Sequence, residues 1–383
     1  MKRGFTAARR LDLPGYPFAE LARQAERIRS TGRPVYNLSI GDPDLDPPDF
    51  AVDAARRAMD DPRTHLYPSS RGDPEVRRSV ARWFKGRFGV ELDPDSQVCI
   101  LIGVKEGLAQ LARAVVNPGD KVAFTEPGYP VYSRAGCRLV EGRERVLKLA
   151  PDRGFLPDLR QAAGAKLLFL NYPNNPTGAM APEWFLKEVA ELAESDPALT
   201  IAYDMAYSEV CFDRPARSLL EFTTWAVEFH SLSKMANAAG YRVGFAIGDP
   251  QRIAALVQAK EEVDSGAPLP FQRALAALLD SYQGLEPPLA MVEARLSYQR
   301  RKRLLSETLA SLGFEVFKSE ATFYIWFRVG EDEIQFLSKA LECGVMMTPG
   351  SGFGACGKGW VRASVTAPDE VIESAAKALK LSI

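Results

Sequence analysis

The chain has 383 residues, 46% of them hydrophobic and 25% charged, an ordinary composition for a globular protein and long enough for two domains. With 48 Lys+Arg against 49 Asp+Glu the formal net charge is −1, and no run of like charge suggests a nucleic-acid arm or a membrane-surface helix. Two histidines (His65, His230) and five scattered cysteines without a CxxC pair leave too few parts for a Ser-His-Asp site, a metal site or a disulfide framework.

At the N-terminus, MKRGFTAARRLDLPGYPF is basic but has no apolar core of the kind a secretory signal carries. No stretch approaches the roughly 18 consecutive apolar residues of a membrane span, so a reducing cytoplasm is expected. PFAELARQAERI has helical periodicity but no sheet of its own, and the segment 1–46 is expected to be an N-terminal arm that packs against, and forms part of, the smaller C-terminal domain. From Cys99 to Gly248, short apolar runs alternate with helical patterns. VCILI (98–102) reads as a strand and 105–115 as a helix. KVAFT (121–125) and KLLFLN (166–171) read as buried strands, and a helix covers 182–194. TIAYD (200–204), VEFHS (227–231) and RVGFAIG (242–248) continue the series. The alternation predicts an α/β domain over 47–284, built on a mostly parallel sheet with helices on both faces. After Gly248 come helical stretches at 250–262, 268–283 and 286–311, a short strand near 314–317, the strand TFYIWF (322–327), a helix near 333–343, the strand WVRASV (360–365) and a helix after Pro368. The part 285–383 therefore reads as a smaller α+β domain. TPGSGFGACGKG (348–359) contains G-x-G spacing, but a strand follows it instead of a helix, the wrong context for a dinucleotide fingerprint. It is expected to be a mobile loop leading into the 360–365 strand.

In open α/β sheets ligands sit beyond the carboxyl ends of the strands. Those ends carry Gly103-Val104-Lys105, where free amides at a helix start suit a phosphate. They also carry Glu126-Pro127-Gly128-Tyr129-Pro130, then Asn174-Asn175-Pro176-Thr177-Gly178, then Asp204 with Tyr207 three residues on. Last comes Ser231-Leu232-Ser233-Lys234, with Arg242 eight residues further. Taken singly, each has a plain structural explanation: a turn, a helix cap, a solvated lysine. The ordered combination, with 29 residues from Asn175 to Asp204 and 30 from Asp204 to Lys234, is what points to a shared site.

That set resembles the class I/II aminotransferases, the fold-type I enzymes that use pyridoxal 5′-phosphate (PLP), from about Tyr16 to Arg362. The resemblance implies that Lys234 is the Schiff-base lysine and the base that moves the Cα proton. It implies that Asp204 pairs with the pyridinium nitrogen, that Tyr207 and Asn175 hydrogen-bond the ring's phenolic oxygen, and that Tyr129 stacks on the ring. Ser231, Ser233, Arg242 and the amides of Val104 and Lys105 match the phosphate cup. Tyr67, in HLYPSSRG, matches the tyrosine that reaches the phosphate from a second subunit, which implies a homodimer. Arg362 matches the arginine whose planar fork takes the substrate α-carboxylate, with Asn175 beside it. Gly41, in NLSIGDPD, matches a glycine approaching the same carboxylate.

LPGYPFAEL, GVKEGLAQLARAVVNPGDKV, NYPNNPTGAMAPEWF, AYSEVCFD, EFHSLSK and VDSG narrow the resemblance to the LL-diaminopimelate aminotransferases and their relatives, in which Tyr16 matches a substrate-touching tyrosine. Two stretches depart from that group: MANAAGYR after Lys234, where the group typically has TYNMTGWR, and Leu269, where relatives commonly carry Asn or Gln. Ping-pong transfer of an amino group from an amino acid to a 2-oxo acid is the expected activity, with LL-diaminopimelate or a related amino acid as donor. Another PLP reaction on the same scaffold, such as β-elimination or decarboxylation, or a specialised secondary-pathway enzyme, is the alternative.

Overall fold

The structure, a computed structural model, describes residues 7–11 and 18–382. After a 3-10 turn at Arg9–Leu11, the described chain runs into α1 (Phe18–Ser30) and the two-residue β1 (Tyr36–Asn37). Two helices follow in a stretch where the sequence pattern assigned nothing, α2 (Asp49–Met59) and α3 (Pro74–Phe88). Asp73 starts α3: its side chain accepts from the Glu75 and Val76 amides, and Pro74 occupies the first turn, where its missing N–H costs nothing.

The central sheet comes from the next 150 or so residues, as the apolar runs predict. In chain order its elements are β2 (Val98–Leu101), α4 (Val104–Val115), β3 (Lys121–Glu126), α5 (Val131–Arg134), β4 (Arg143–Lys148), β5 (Leu167–Asn171), α6 (Glu183–Ser195), β6 (Thr200–Asp204), β7 (Ala226–Ser231), α7 (Leu232–Met235) and β8 (Gly244–Gly248). Helices α8 (Pro250–Glu261) and α9 (Leu269–Asp280) complete its flanks. The strand order is β2-β8-β7-β6-β5-β3-β4. All neighbours are parallel except β8, which is antiparallel to both β7 and β2. Strands β5 to β8 are buried at every position, the mark of a sheet covered on both faces. The unpredicted strand β4 lies at the sheet edge, and its RERVLK sequence is exposed over its first three residues. Charged side chains are usual at an edge, where they discourage pairing with another chain, and they hid the strand from an apolar-run reading.

The remaining elements are α10 (Leu289–Ser311), β9 (Glu315–Val316), β10 (Tyr324–Arg328), α11 (Glu333–Glu342), β11 (Val345–Met346), β12 (Thr348–Pro349), β13 (Trp360–Ser364) and α12 (Asp369–Ser382). They build an antiparallel four-stranded sheet of order β12-β13-β10-β9. β1 pairs in parallel with β11, so the N-terminal segment packs against this C-terminal part. The glycine-rich stretch 348–359 differs from the mobile loop expected of it. It folds into two short 3-10 turns, Gly350–Phe353 and Ala355–Gly357, with Phe353 buried. The Gly128 amide donates to the Phe353 carbonyl at 2.8 Å, which ties the stretch to the turn after β3. No described helix is long and apolar enough to cross a membrane.

Candidate active site

A cavity of about 630 Å³ lies at the carboxyl ends of the parallel strands, between them and the four-stranded sheet. Its walls include twelve of the fourteen residues singled out from the sequence: Gly41, Val104, Lys105, Tyr129, Asn175, Asp204, Tyr207, Ser231, Ser233, Lys234, Arg242 and Arg362. Tyr67 is not among them; it stands 91% exposed on the surface of the chain. Tyr16 lies outside the described residues. Of the two departures noted after Lys234, Ala239 lines the cavity, whereas Leu269, at the first turn of α9, does not.

Lys234 sits in the one-turn helix α7 directly after β7, and its Nζ donates to the Gly41 carbonyl at 2.8 Å. Burial, which disfavours the ammonium, lowers its pKa to about 8; Arg362 and Arg242 act in the same direction and Asp42 opposes them. Asp204, the last residue of β6, is buried. Tyr132 donates to its Oδ2 at 2.8 Å and the Ala206 amide to its Oδ1 at 3.0 Å. Burial raises its pKa to about 6 even though both hydrogen bonds favour the carboxylate. Among the described residues it has no salt-bridge partner, so a buried anion faces the cavity with room for a cationic group.

Asn171, at the end of β5, sets the geometry beside it. Its Nδ2 donates to the carbonyls of Pro173 (3.2 Å) and Asp204 (2.8 Å), and its Oδ1 accepts from the Asn175 amide (2.8 Å). Asn175 in turn accepts at Oδ1 from Arg362 Nη1 at 2.8 Å, which leaves its own amide protons for the cavity. The other fork of Arg362 donates to the Ser39 carbonyl at 2.8 Å. The guanidinium lies over the rings of Tyr324 (4.1 Å to the centre) and Phe353 (4.7 Å), and its buried Nε has no hydrogen-bond partner. A flat, charged fork with an unmet donor is what a carboxylate would complete.

At the opposite side, Gly103 (φ 78°) precedes α4, and a Cβ there would stand 2.6 Å from Arg242 Nη2, so only glycine lets the arginine close on this helix start. The first amides of α4, at Val104 and Lys105, have no intrahelical partner, and the helix dipole favours an anion there. Arg242, Ser231 and Ser233 share the same wall. The cavity walls hold four cationic side chains (Lys105, Lys234, Arg242, Arg362) against two carboxylates (Asp42, Asp204). The residues thus fit PLP: a phosphate cradle, a buried anion for the ring nitrogen, an aromatic face and an enclosed amine.

Sequence reasoning missed Tyr132, Asn171 and Tyr324. Tyr132 follows Tyr129 by three residues in GYPVY, the spacing that puts two side chains on one side of a helical turn. Tyr324 lies within the apolar run TFYIWF, which marks a buried strand but no site residue.

Comparison with known proteins agrees with this geometry. The family model described as "Aminotransferase class I and II" matches residues 33–379. The LL-diaminopimelate aminotransferase of Desulforudis audaxviator is 41% identical over 391 residues, covering 98% of this chain and 97% of the relative. That of Aquifex aeolicus is 39% identical, with 96% of each chain covered. Among solved structures, substrate-bound BacF from Bacillus subtilis superposes with a TM-score of 0.91 at 31% identity, covering 99% of both chains. Aspartate aminotransferase from Thermus thermophilus with maleate gives 0.90 at 27% identity, covering 99% of this chain and 100% of the other.

Proposed function

Because the chain belongs to the class I and II aminotransferases, PLP enzymes that move an amino group from an amino acid to a 2-oxo acid, we propose that Lys234 is the reacting amine and Arg362 the substrate anchor of that transfer. The observation that carries this reading is their convergence. A lysine with a pKa lowered to about 8 shares one cavity with an arginine fork, and Asn175, held by Asn171, links the fork to the strand end that carries Asp204.

When bound, PLP supplies an aldehyde that captures the substrate amine and a ring that takes up the electron pair left when the Cα proton departs. Lys234 would hold the aldehyde and, once displaced by substrate, would take the proton from Cα and return it to the former aldehyde carbon, two atoms away. With a pKa of about 6, the Asp204 carboxyl is about nine-tenths ionised at neutral pH, so it can hold a proton on the ring nitrogen. Burial pushes the Tyr207 hydroxyl well above its ordinary pKa, so it keeps its proton and donates to the ring oxygen, beside the free amide protons of Asn175. Tyr129 covers the ring face. The amides of Val104 and Lys105, with Ser231, Ser233 and Arg242, take the phosphate. Arg362 takes the substrate carboxylate, and Gly41, without a side chain, lets it approach.

The same reading makes LL-diaminopimelate the amino donor, supported by relatives about 40% identical over nearly the whole chain; Tyr16 is assigned to touch the substrate. It makes the enzyme a homodimer, since Tyr67 is exposed, as are Leu66 and Met59, and Tyr67 matches a residue that serves a second copy's phosphate site. It divides the chain into an N-terminal arm (1–46), a large domain (47–284) and a small domain (285–383), which agrees with the separation of the two larger sheets. It places the enzyme in the cytoplasm, in keeping with its five free cysteines.

The test is a half-reaction. PLP-loaded enzyme mixed with LL-diaminopimelate and no acceptor should convert its cofactor to the amino form and release one equivalent of 2-oxo acid, and a 2-oxo acid should reverse the change. Release of ammonia or carbon dioxide without the amino form would overturn the assignment. Conversion by other amino acids but not by LL-diaminopimelate would overturn the donor alone.

A further inference from the structure

We infer that Tyr324 is a positioning residue that joins the substrate clamp to the cofactor's ring oxygen, its hydroxyl donating to Tyr207 while its ring carries Arg362. This rests on the roles proposed above for Tyr207 and Arg362.

The sheet register brings the three together. Tyr324 opens β10 opposite Ser364 of β13, and Arg362 stands two residues from Ser364 on the same strand. Residues on such a diagonal share a face and lie within reach of long side chains, and the Arg362 guanidinium indeed lies 4.1 Å from the Tyr324 ring centre. The hydroxyl of Tyr324 is 2.8 Å from that of Tyr207, and the two rings meet nearly edge to face at 5.6 Å. Both tyrosines are buried.

The direction of that hydrogen bond follows from proton counting. A hydroxyl has one proton. If Tyr207 gives its proton to the ring oxygen, it can only accept from Tyr324. The result is a chain, Tyr324 to Tyr207 to ring oxygen, in which each bond polarises the next.

The fold holds Tyr324 in this position from behind. Thr322, two residues earlier, sits in the left-handed region (φ 60°), a strained place for a β-branched residue. Its amide donates to the Val210 carbonyl at 2.7 Å and its Oγ1 accepts from the Tyr324 amide at 3.2 Å. The Nζ of the buried Lys302, whose pKa burial lowers to about 7, lies within hydrogen-bond reach of Ser319 Oγ (2.6 Å), the Ala321 carbonyl (2.6 Å) and the Thr322 carbonyl (3.0 Å). In front, a Cβ at position 41 would overlap the Tyr324 hydroxyl. Gly41 is therefore a glycine because a side chain there would displace this hydroxyl, and its backbone carbonyl also accepts from Lys234.

The experiment titrates the visible absorbance of PLP-loaded protein with pH, for wild type, Tyr324→Phe, Tyr207→Phe and the double variant. Losing the Tyr324 hydroxyl weakens Tyr207 as a donor, so the lysine-bound cofactor keeps its proton to higher pH. The transition should move up by about 0.2–0.7 pH unit, while KM for the amino donor stays within about twofold because the phenyl ring still supports Arg362. Tyr324→Leu, which removes the ring, should raise KM a further ~2–30-fold. In the Tyr207→Phe background, Tyr324→Phe should move nothing more, because its route to the cofactor is gone. A Tyr324→Phe transition at the wild-type pH, or an equal shift in the Tyr207→Phe background, overturns the inference while the proposed function stands. Absence of any cofactor band in wild type would instead overturn the proposed function, and this inference with it.

Discussion

An amine attacks an aldehyde only as the free base, so the environment of Lys234 sets how fast the apoprotein captures PLP. An exposed lysine near pKa 10.4 is neutral at pH 7 in only about one molecule in 2,500. Burial lowers Lys234 to about 8, so roughly one molecule in ten is neutral at that pH, an advantage of about two orders of magnitude. Stopped-flow mixing of apoprotein with PLP across pH 6 to 10 would read this directly. Below pH 8 the logarithm of the capture rate should climb with unit slope, because each pH unit multiplies the neutral fraction by about ten. Near pH 8 it should level off, and Lys234→Ala should show no capture at any pH. A rate that keeps rising with unit slope to pH 10 would refute the reasoning, since the cavity would then leave the amine as basic as one in water. A plateau beginning below pH 7 would also count against it, because it would require stronger desolvation than the cavity supplies.

Arg362→Lys keeps the charge but removes the planar fork and its stacking on Tyr324 and Phe353. Losing one charge-assisted hydrogen bond, worth about 1.5–3 kcal/mol, should lower kcat/KM for amino donors about 10- to 150-fold in steady-state assays; a change under threefold would remove Arg362 from the carboxylate site. Lys302→Met removes a buried amine, its pKa lowered to about 7 by burial, that bonds Ser319, Ala321 and Thr322; it orphans the Thr322 carbonyl at about 1–3 kcal/mol, while Ala321 keeps the Ser319 hydroxyl at 3.3 Å. Calorimetry should show a lowered thermal midpoint, and the cofactor's absorbance transition should broaden or shift as Tyr324 loosens; an unchanged midpoint would show that the turn holds itself.

Much of the fold and site was legible because the relevant signals are local. Runs such as LLFLN, IAYD and GFAIG read as strands since a sheet covered on both faces needs no polar alternation. The cofactor residues fall at the ends of those strands, where the α/β arrangement puts ligands. What escaped notice was either non-local or disguised by charge. The edge strand β4 carries Arg143, Glu144 and Arg145 at its exposed start. The stretch 348–359 has a loop's composition, yet burial of Phe353 and the bond from Gly128 order it. Tyr324 and Tyr207 are 117 positions apart, and no spacing rule reaches that far. Tyr67 was legible as a motif residue, but it does not line the active-site cavity of its own chain.

Asn171 shows why a motif can be recognised before its cause is known. The Asn-Asn-Pro-Thr-Gly segment identifies a loop, but nothing in that loop alone dictates where Asn175 points. The orientation comes from the residue just before it, which reads as the last position of an apolar strand. Both amide protons of Asn171 and its carbonyl oxygen are used, on Pro173, Asp204 and Asn175. One buried side chain therefore holds the loop start to the end of the neighbouring strand, β6, where Asp204 stands. Asn175 then passes the constraint to Arg362, which belongs to a different sheet. The ring-nitrogen partner, the ring-oxygen partner and the carboxylate clamp are thus set by one continuous hydrogen-bonded path. That path explains how residues from Asn171 to Arg362 can present a single rigid surface, although Arg362 stands on a different sheet from the strands that end in Asn171 and Asp204.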